Sequence, residues 1–116
     1  MEQEILFLNN LADAYRNYDV SYIEDWLDDN MHYASMWVFE ELKSKEEYLD
    51  YLSGKLQTMK KHNTKMDFEI VEGGMHNHAL LVKNQCSPEG APLGFVADFN
   101  DKGKVVMLNI TIRSFF

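Results

Sequence analysis

The stretch DVSYIEDWLDDNMHYASMW, residues 19–37, passes from helical to strand periodicity and decides the fold class. Its SYIE segment, which begins at Ser21, is a capping-box pattern, and the apolar residues after it predict a short helix. Asp28 and Asp29 are interpreted as the end of that helix and the start of a turn. Alternation over residues 31–38 then predicts a strand. One face of this strand carries Met31, Tyr33, Ser35 and Trp37.

The rest of the chain predicts two longer helices and four more strands. Apolar residues recur at helical spacing over residues 2–17, and a second capping box at Ser44 begins the longest helix, residues 44–61. Period-two alternation begins at Lys65, Gly73-Gly74 makes a hairpin turn, and strands follow at 75–85, 93–99 and 104–113. This order predicts one α+β domain over residues 1–116, with three N-terminal helices packed on one side of a curved, mostly antiparallel sheet.

Composition narrows the classes of partner. Acidic residues outnumber basic ones 19 to 11, and the formal net charge is −8. Nucleic acids and anionic membranes attract Lys and Arg, so neither is an expected partner. The single cysteine, Cys86, allows no internal disulfide, and residues 1–17 lack the positive region of a signal peptide, so we expect a cytoplasmic protein. A neutral or apolar small molecule, or another protein, fits this charge better.

The order of elements resembles the nuclear transport factor 2-like (NTF2-like) superfamily. The resemblance rests on DVSYIEDWLDDNMHY at residues 19–33, on the capped third helix, and on the closing DFNDKGKVVMLNITI at residues 98–112. Within the superfamily the chain looks most like the SnoaL-like branch, which is related to steroid Δ-isomerases and polyketide cyclases. The resemblance implies a cone made by a strongly bent sheet wrapped around the helices, a pocket at its wide end, and a homodimer.

The resemblance also allows a register against the steroid isomerases. In that register the catalytic aspartate falls at Ser35, and the two oxyanion donors fall at Leu11 and Phe95. Leu and Phe donate no hydrogen bond and Ser is no base near neutral pH, so steroid isomerase chemistry is not expected. The register places a mostly aromatic and aliphatic set in the pocket, as is usual for a small-molecule site. These residues are Tyr15, Tyr33, Ser35, Trp37, Tyr51, His78, Leu80, Phe95, Leu108 and Ile110.

Our leading hypothesis is therefore a protein that binds a small, largely apolar molecule in this pocket. An alternative is an isomerase, cyclase or dehydratase in which His78, or a glutamate at the pocket rim, Glu40 or Glu41, moves a proton. His76 and His78 are two apart and are predicted to share a strand face. They lack a third and fourth partner, so we predict no metal site, and we predict no cofactor.

A third hypothesis is a protein-interaction module with an inert cone. The predicted outer face of the sheet is apolar, and it carries Ala79, Leu81, Val105 and Met107. A sheet with helices on one side normally shows water its other face, so an apolar outer face favours a dimer formed back to back through the sheets.

Overall fold

The computed structural model describes residues 2–35, 40–73, 76–86, 90–112 and 116, without the side chains of residues 85 and 86. Its elements are helix α1 (Glu2–Asn17), two 3-10 turns (Val20–Tyr22 and Glu24–Trp26), β1 (Leu27–Ser35), α2 (Lys45–Lys61), β2 (Phe68–Glu72), β3 (His78–Cys86), β4 (Pro92–Phe99) and β5 (Val105–Ile112). The five strands form one sheet in the order β1-β5-β4-β3-β2. Only the β1–β5 pair is parallel among these strand pairs. The predicted α+β class is confirmed.

The two α-helices cover one face of the sheet. α1 lies against β2 and β3, and α2 lies against β1. α2 begins as predicted: the Ser44 hydroxyl accepts a hydrogen bond from the Glu47 amide at 3.1 Å, which satisfies one of the free N–H groups of the first turn. Each helix buries one apolar stripe in the main core. The stripe of α1 is Phe7, Leu8, Leu11, Ala12 and Tyr15, and that of α2 is Tyr48, Leu52, Leu56 and Met59.

The second predicted helix is replaced by the two 3-10 turns, and the predicted cap is wrong. The side chain of Asp19, not that of Ser21, caps this segment, since it accepts from the Ser21 amide at 2.9 Å. The turns then end at Trp26, and β1 begins at once with Leu27. Asp28 and its neighbour at 29 thus lie in the strand. Asp28 accepts from the amide of Asn30 at 3.0 Å, a local turn inside the strand.

A β-bulge changes the predicted faces of β5. Asp98 pairs with Met107 and Phe99 pairs with Val105, so Val106 is an extra residue on β5. Because the alternation slips by one residue there, Val105 turns into the main core, where it is fully buried. The prediction that Val105 lies on the outer face with Met107 is wrong for this reason.

The outer face of the sheet is partly covered by the chain itself. Ala79, Val96 and Phe116 form a small buried cluster there, with Val71 and Leu81 half-buried beside it. A side chain at position 94 would overlap the ring of Phe116, so the glycine at 94 is what lets this ring lie on the sheet.

None of the described helices is long and apolar enough to cross a membrane.

Three predictions fall partly outside the described residues. These are the strand end with Trp37, the hairpin turn with Gly74, and part of the loop between the third and fourth strands. The strand predicted from Lys65 begins later, at Phe68, where pairing with β3 starts.

Candidate functional site: a buried tyrosine cluster

Two rows of paired residues bring most of the predicted pocket residues together across the sheet. In the first row Ser35 pairs with Ile110, Ile110 with Phe95, and Phe95 with Leu80. In the second row Tyr33 pairs with Leu108. Tyr33, Leu80, Phe95, Leu108 and Ile110 are buried in the main core under the helices.

Four tyrosines from three elements meet above these rows, and we call Tyr15, Tyr33, Tyr48 and Tyr51 the tyrosine cluster. The ring of Tyr33 on β1 lies 4.7 Å from that of Tyr48 and 5.6 Å from that of Tyr51, both on α2. Tyr15 on α1 lies 5.5 Å from the ring of Phe95. These are ordinary distances for tilted aromatic pairs, which contribute about 0.5–1.5 kcal/mol beyond their burial.

The backbone of Tyr33 is held from both sides. On one side it pairs with Leu108 of β5. On the other side its N–H donates to the carbonyl of Leu42 at 2.8 Å and its carbonyl accepts from the amide of Leu42 at 2.9 Å. The segment before α2 therefore fixes the edge strand that carries Tyr33 and Ser35.

The hydroxyls of this cluster are the unusual feature of the interior. The hydroxyls of Tyr15 and Tyr48 are buried, and neither makes a hydrogen bond with any residue in the described part of the chain. The hydroxyl of Tyr33 is also buried, but it interacts by hydrogen bonding with the hydroxyls of Tyr51 and Ser35 and is not counted with these two. Buried polar groups are paired in the great majority of cases, and a buried unpaired hydroxyl costs about 1–3 kcal/mol.

Burial keeps these phenols protonated. It raises the pKa of Tyr15 and of Tyr48 well above the ordinary value, and the phenols of neighbouring tyrosines raise both further. Burial likewise raises the pKa of Tyr33, and to a smaller degree that of Tyr51. Each phenol is thus neutral at physiological pH, with one proton to donate and an oxygen that can accept.

A half-buried lysine borders the cluster. The Nζ of Lys55 lies 5.8 Å from the centre of the Tyr15 ring and 6.0 Å from that of the Tyr51 ring. Burial lowers the pKa of Lys55, because a charged ammonium loses hydration there. Tyr51 and Lys55 are the half-buried members of this group, so the interior is nearest to solvent beside them.

His78 lies apart from the tyrosine cluster. Its Nδ1 is 2.9 Å from Oε1 of Glu4, whose side chain is buried in the first turn of α1. Glu4 precedes Tyr15 by eleven residues, about 16 Å along a helix at 1.5 Å per residue. The structure therefore does not bring His78 together with the tyrosines that the register placed beside it.

His76 and His78 do not share a face, contrary to the sequence prediction. β3 begins only at His78, and His76 before it turns to the other side. There its Nε2 lies 3.2 Å from Oδ1 of Asp98, and its Nδ1 lies 2.9 Å from the carbonyl oxygen of Phe116. A surface groove of about 520 Å³ beside His76 runs along the first turn of α1. Across the described ranges no group of three or more His, Cys, Asp or Glu side chains could hold a metal ion.

The rim glutamates form surface contacts. Oε2 of Glu41 lies 3.3 Å from Nδ1 of His32, and both side chains are more than a third exposed. Such exposed pairs contribute little to stability. Glu40 is exposed.

Sequence reasoning missed three residues of chemical interest: Tyr48, Lys55 and Glu4. Helical spacing could have found two of them, because Tyr48, Tyr51 and Lys55 stand at positions i, i+3 and i+7 of one helix and so line one side of it. Glu4 gave no local signal, since its partner His78 is 74 residues away in sequence.

Comparison with solved structures agrees with this architecture. A SnoaL-like protein of unknown function from Burkholderia thailandensis superposes with a TM-score of 0.72 at 17% identity, over 97% of this chain and 95% of that one. The fold is NTF2-like. A candidate polyketide cyclase from Sinorhizobium meliloti gives a TM-score of 0.63 at 13% identity, over 90% and 93% of the two chains. An LEH-like epoxide hydrolase from Mycobacterium tuberculosis gives 0.59 at 13% identity, over 96% and 83%.

The NTF2-like fold that the sequence resemblance predicted is thus confirmed. No protein-family model matches the chain. No curated protein matches its sequence either. At identities below a fifth, the solved structures establish the fold and leave the activity to the residues of this chain.

Proposed function

We propose that this protein binds a small, neutral, largely apolar molecule in the interior beneath the sheet, in contact with the tyrosine cluster. The observation that carries the proposal is the pair of buried phenol hydroxyls, those of Tyr15 and Tyr48, without a partner in the described ranges. A ligand with one or two polar atoms would satisfy them, while Leu80, Phe95 and Ile110 offer apolar walls. A charged ligand fits poorly, because the surrounding phenols are neutral.

The names of two similar structures agree with this class of ligand. One is a candidate polyketide cyclase and the other an epoxide hydrolase, and both names refer to small organic compounds. The ring of Tyr33 contacts those of Tyr48 and Tyr51. Binding would therefore need rotation of a ring, and we propose that this ring is Tyr51, which is half-buried where the other three are buried.

The test combines native mass spectrometry of the purified protein with a thermal-shift screen of neutral aromatic and alicyclic compounds. We expect a co-purifying mass or a stabilising compound whose affinity falls roughly tenfold in Tyr15→Phe and Tyr48→Phe, since each variant loses one hydrogen bond to the ligand. Tyr18→Phe is the matched control, because the Tyr18 hydroxyl donates to the carbonyl of Thr64 at 2.8 Å, away from the cluster. A protein that carries no ligand and responds to no compound would contradict the proposal.

A second candidate function is acid–base catalysis by His78, as in an isomerase, cyclase or dehydratase. The contact between Glu4 and His78 favours it, because a carboxylate at Nδ1 orients an imidazole and leaves Nε2 to exchange a proton. His78→Gln should then abolish turnover of compounds found in the screen, while His62→Gln, at an exposed histidine, should leave turnover unchanged. Turnover that persists in His78→Gln would refute this role.

The homodimer remains a prediction, and its predicted interface on the outer face of the sheet no longer includes Val105. The outer face carries Ala79 and Leu81 without Val105, and Phe116 covers part of it. We propose that the half-buried remainder pairs with a second copy of the chain. Leu81→Lys should then shift the mass measured by light scattering from dimer to monomer, and Leu6→Lys, at an exposed leucine of α1, should not. A wild-type monomer would contradict the dimer and the interaction-module hypothesis together.

A further inference from the structure

Lys55 places an amine, a group that can react as a nucleophile, at the border of the tyrosine cluster. It stands seven residues after Tyr48 and four after Tyr51 on α2, so its side chain reaches the border of the tyrosine cluster. Its amine lies about equally far from the rings of Tyr15 and Tyr51, at 5.8 and 6.0 Å. An amine in this place lies against two rings of the cluster that a bound molecule would contact.

The surroundings favour the reactive form of the amine. Burial lowers the pKa of Lys55, so a larger fraction of it is neutral at a given pH than for an exposed lysine. Lysines that are desolvated in apolar sites serve as nucleophiles toward carbonyl compounds for this reason. The buried phenols supply what a carbonyl oxygen needs, since they stay protonated and their hydroxyls have no partner in the described part of the chain.

We propose that Lys55 forms an imine with an aldehyde or ketone whose oxygen is bound by the phenol hydroxyls of the tyrosine cluster. The inference rests on the proposed function and names the chemical class of the ligand.

The step balances without a further reactant. The lone pair of Nζ attacks the carbonyl carbon, the C–N bond forms as the C=O π bond breaks, and the oxygen, which receives that electron pair, takes a proton from a phenol. The nitrogen then returns a proton to the phenol, which gives a neutral carbinolamine. This loses its hydroxyl together with a further proton from nitrogen as water, and the C=N bond forms. The net change is amine plus carbonyl to imine plus water.

The competing explanation is that Lys55 only packs on the rings. Its aliphatic stem can cover Tyr15 and Tyr51 while the ammonium interacts with their π-faces. Such a lysine would also have a lowered pKa, but its reactivity would not depend on the phenol hydroxyls. The effect of removing those hydroxyls therefore separates the two explanations.

The test is reductive trapping on the full chain. The wild-type protein is incubated at neutral pH with benzaldehyde and sodium cyanoborohydride, and the benzylated lysines are located by peptide mass spectrometry over time. We expect Lys55 to be labelled severalfold faster than Lys60, an exposed lysine of the same helix, because burial lowers the pKa of Lys55 and so raises its neutral fraction. The pH at which labelling of Lys55 reaches half its maximum should also be lower in the folded protein than in an unfolded peptide that contains Lys55.

Variants connect the reactivity to the cluster. Tyr15→Phe and Tyr48→Phe should slow the labelling of Lys55 and leave that of Lys60 unchanged, and Lys55→Met should remove the fast-labelled site. Labelling of Lys55 at the rate of Lys60 would overturn the proposal, as would fast labelling that neither tyrosine variant slows. Slow labelling of the wild-type protein refutes the proposal without any variant, and either tyrosine variant alone tests the dependence on the hydroxyls if the other fails to fold.

A parallel thermal-shift measurement with benzyl alcohol, which has no carbonyl group, keeps the two proposals apart. Tyrosine-dependent stabilisation by benzyl alcohol without fast labelling of Lys55 refutes the imine and leaves the binding function standing. The absence of both refutes the imine and, if the wider screen also finds no ligand, the binding function too.

Discussion

Replacing Tyr48 by phenylalanine is the most direct test of the unpaired hydroxyls. The change deletes one oxygen and keeps the ring, whose contact with Tyr33 has a centroid distance of 4.7 Å. In most proteins a buried tyrosine hydroxyl is paired, and its removal costs about 0.5–1.5 kcal/mol. Here the hydroxyl has no partner in the described residues, so its removal deletes a desolvation penalty.

The expected magnitude follows from that penalty. An unsatisfied buried hydroxyl costs about 1–3 kcal/mol, so ligand-free Tyr48→Phe should be more stable than the wild type by about 1 kcal/mol or more. For a chain of 116 residues, 1 kcal/mol corresponds to a rise in Tm of about 3–6 °C. Urea unfolding should show a higher midpoint with an unchanged slope.

Tyr18→Phe is the control, because its hydroxyl has a partner at 2.8 Å in the Thr64 carbonyl. That variant should lose up to about 1 kcal/mol, opposite in sign to Tyr48→Phe. The protein must first be unfolded and refolded to remove any co-purifying ligand. A Tyr48→Phe variant that is less stable than ligand-free wild type by 1 kcal/mol would show that the hydroxyl is satisfied and would refute the reasoning.

Three further predictions concern stability. The pKa values of the buried phenols of Tyr15, Tyr33 and Tyr48 are raised by folding, so the folded state keeps protons that the unfolded chain releases near pH 10. The free energy of unfolding should therefore be unaffected below pH 10 and should fall above it by up to about 4 kcal/mol per pH unit. Absorbance at 295 nm should show these phenols ionising only as the protein unfolds. Gly94→Ala should lower the free energy of unfolding, measured in urea, by about 1–3 kcal/mol, because the added methyl group overlaps the ring of Phe116. Gly54→Ala is the control: it lies in an exposed helical position with open space around it and should raise the free energy of unfolding by about 0.5–1 kcal/mol. Ser44→Ala should cost about 1 kcal/mol, measured by thermal unfolding, because the Glu47 amide loses its cap, and an unchanged Tm would show that water replaces the hydroxyl.

The sequence predicted the elements whose signals are local. The period of apolar residues located α1 and α2, and Ser44 marked the start of α2 within one residue. Period-two alternation and glycines located the strands from β2 to β5. These signals depend on neighbours a few residues apart, which is why they can be interpreted without the tertiary structure.

Errors arose where two local signals competed. Ser21 and Asp19 are both good caps, and the aspartate, two residues earlier, made the hydrogen bond.

The bulge at Val106 had no signature in the run of β-branched residues, yet it reversed the face of Val105. An extra residue in a strand is fixed by its partners, here Asp98 and Phe99, and these partners are distant in sequence.

The sequence predicted several residues that line the candidate site but did not predict its unpaired hydroxyls. The register placed Tyr33, Ser35, Phe95 and Ile110, which do lie in adjacent rows of the sheet. Their role in binding stays a prediction. The unpaired state of the Tyr48 hydroxyl depends on every element that packs around it, and no pattern in the sequence reports that.

The position of β1 in the sheet has a consequence for the order in which the chain folds. β1 precedes α2 in the chain, but its ladder partner is β5, so some seventy residues must be made before Tyr33 can meet Leu108. Closing so long a loop is entropically costly and slow, whereas the antiparallel strands β2 to β5 join successive neighbours. We expect β1 to be added last, both in refolding and during synthesis on the ribosome. The tyrosine cluster would then be completed only at the end of folding, and an early ligand would have nothing to bind.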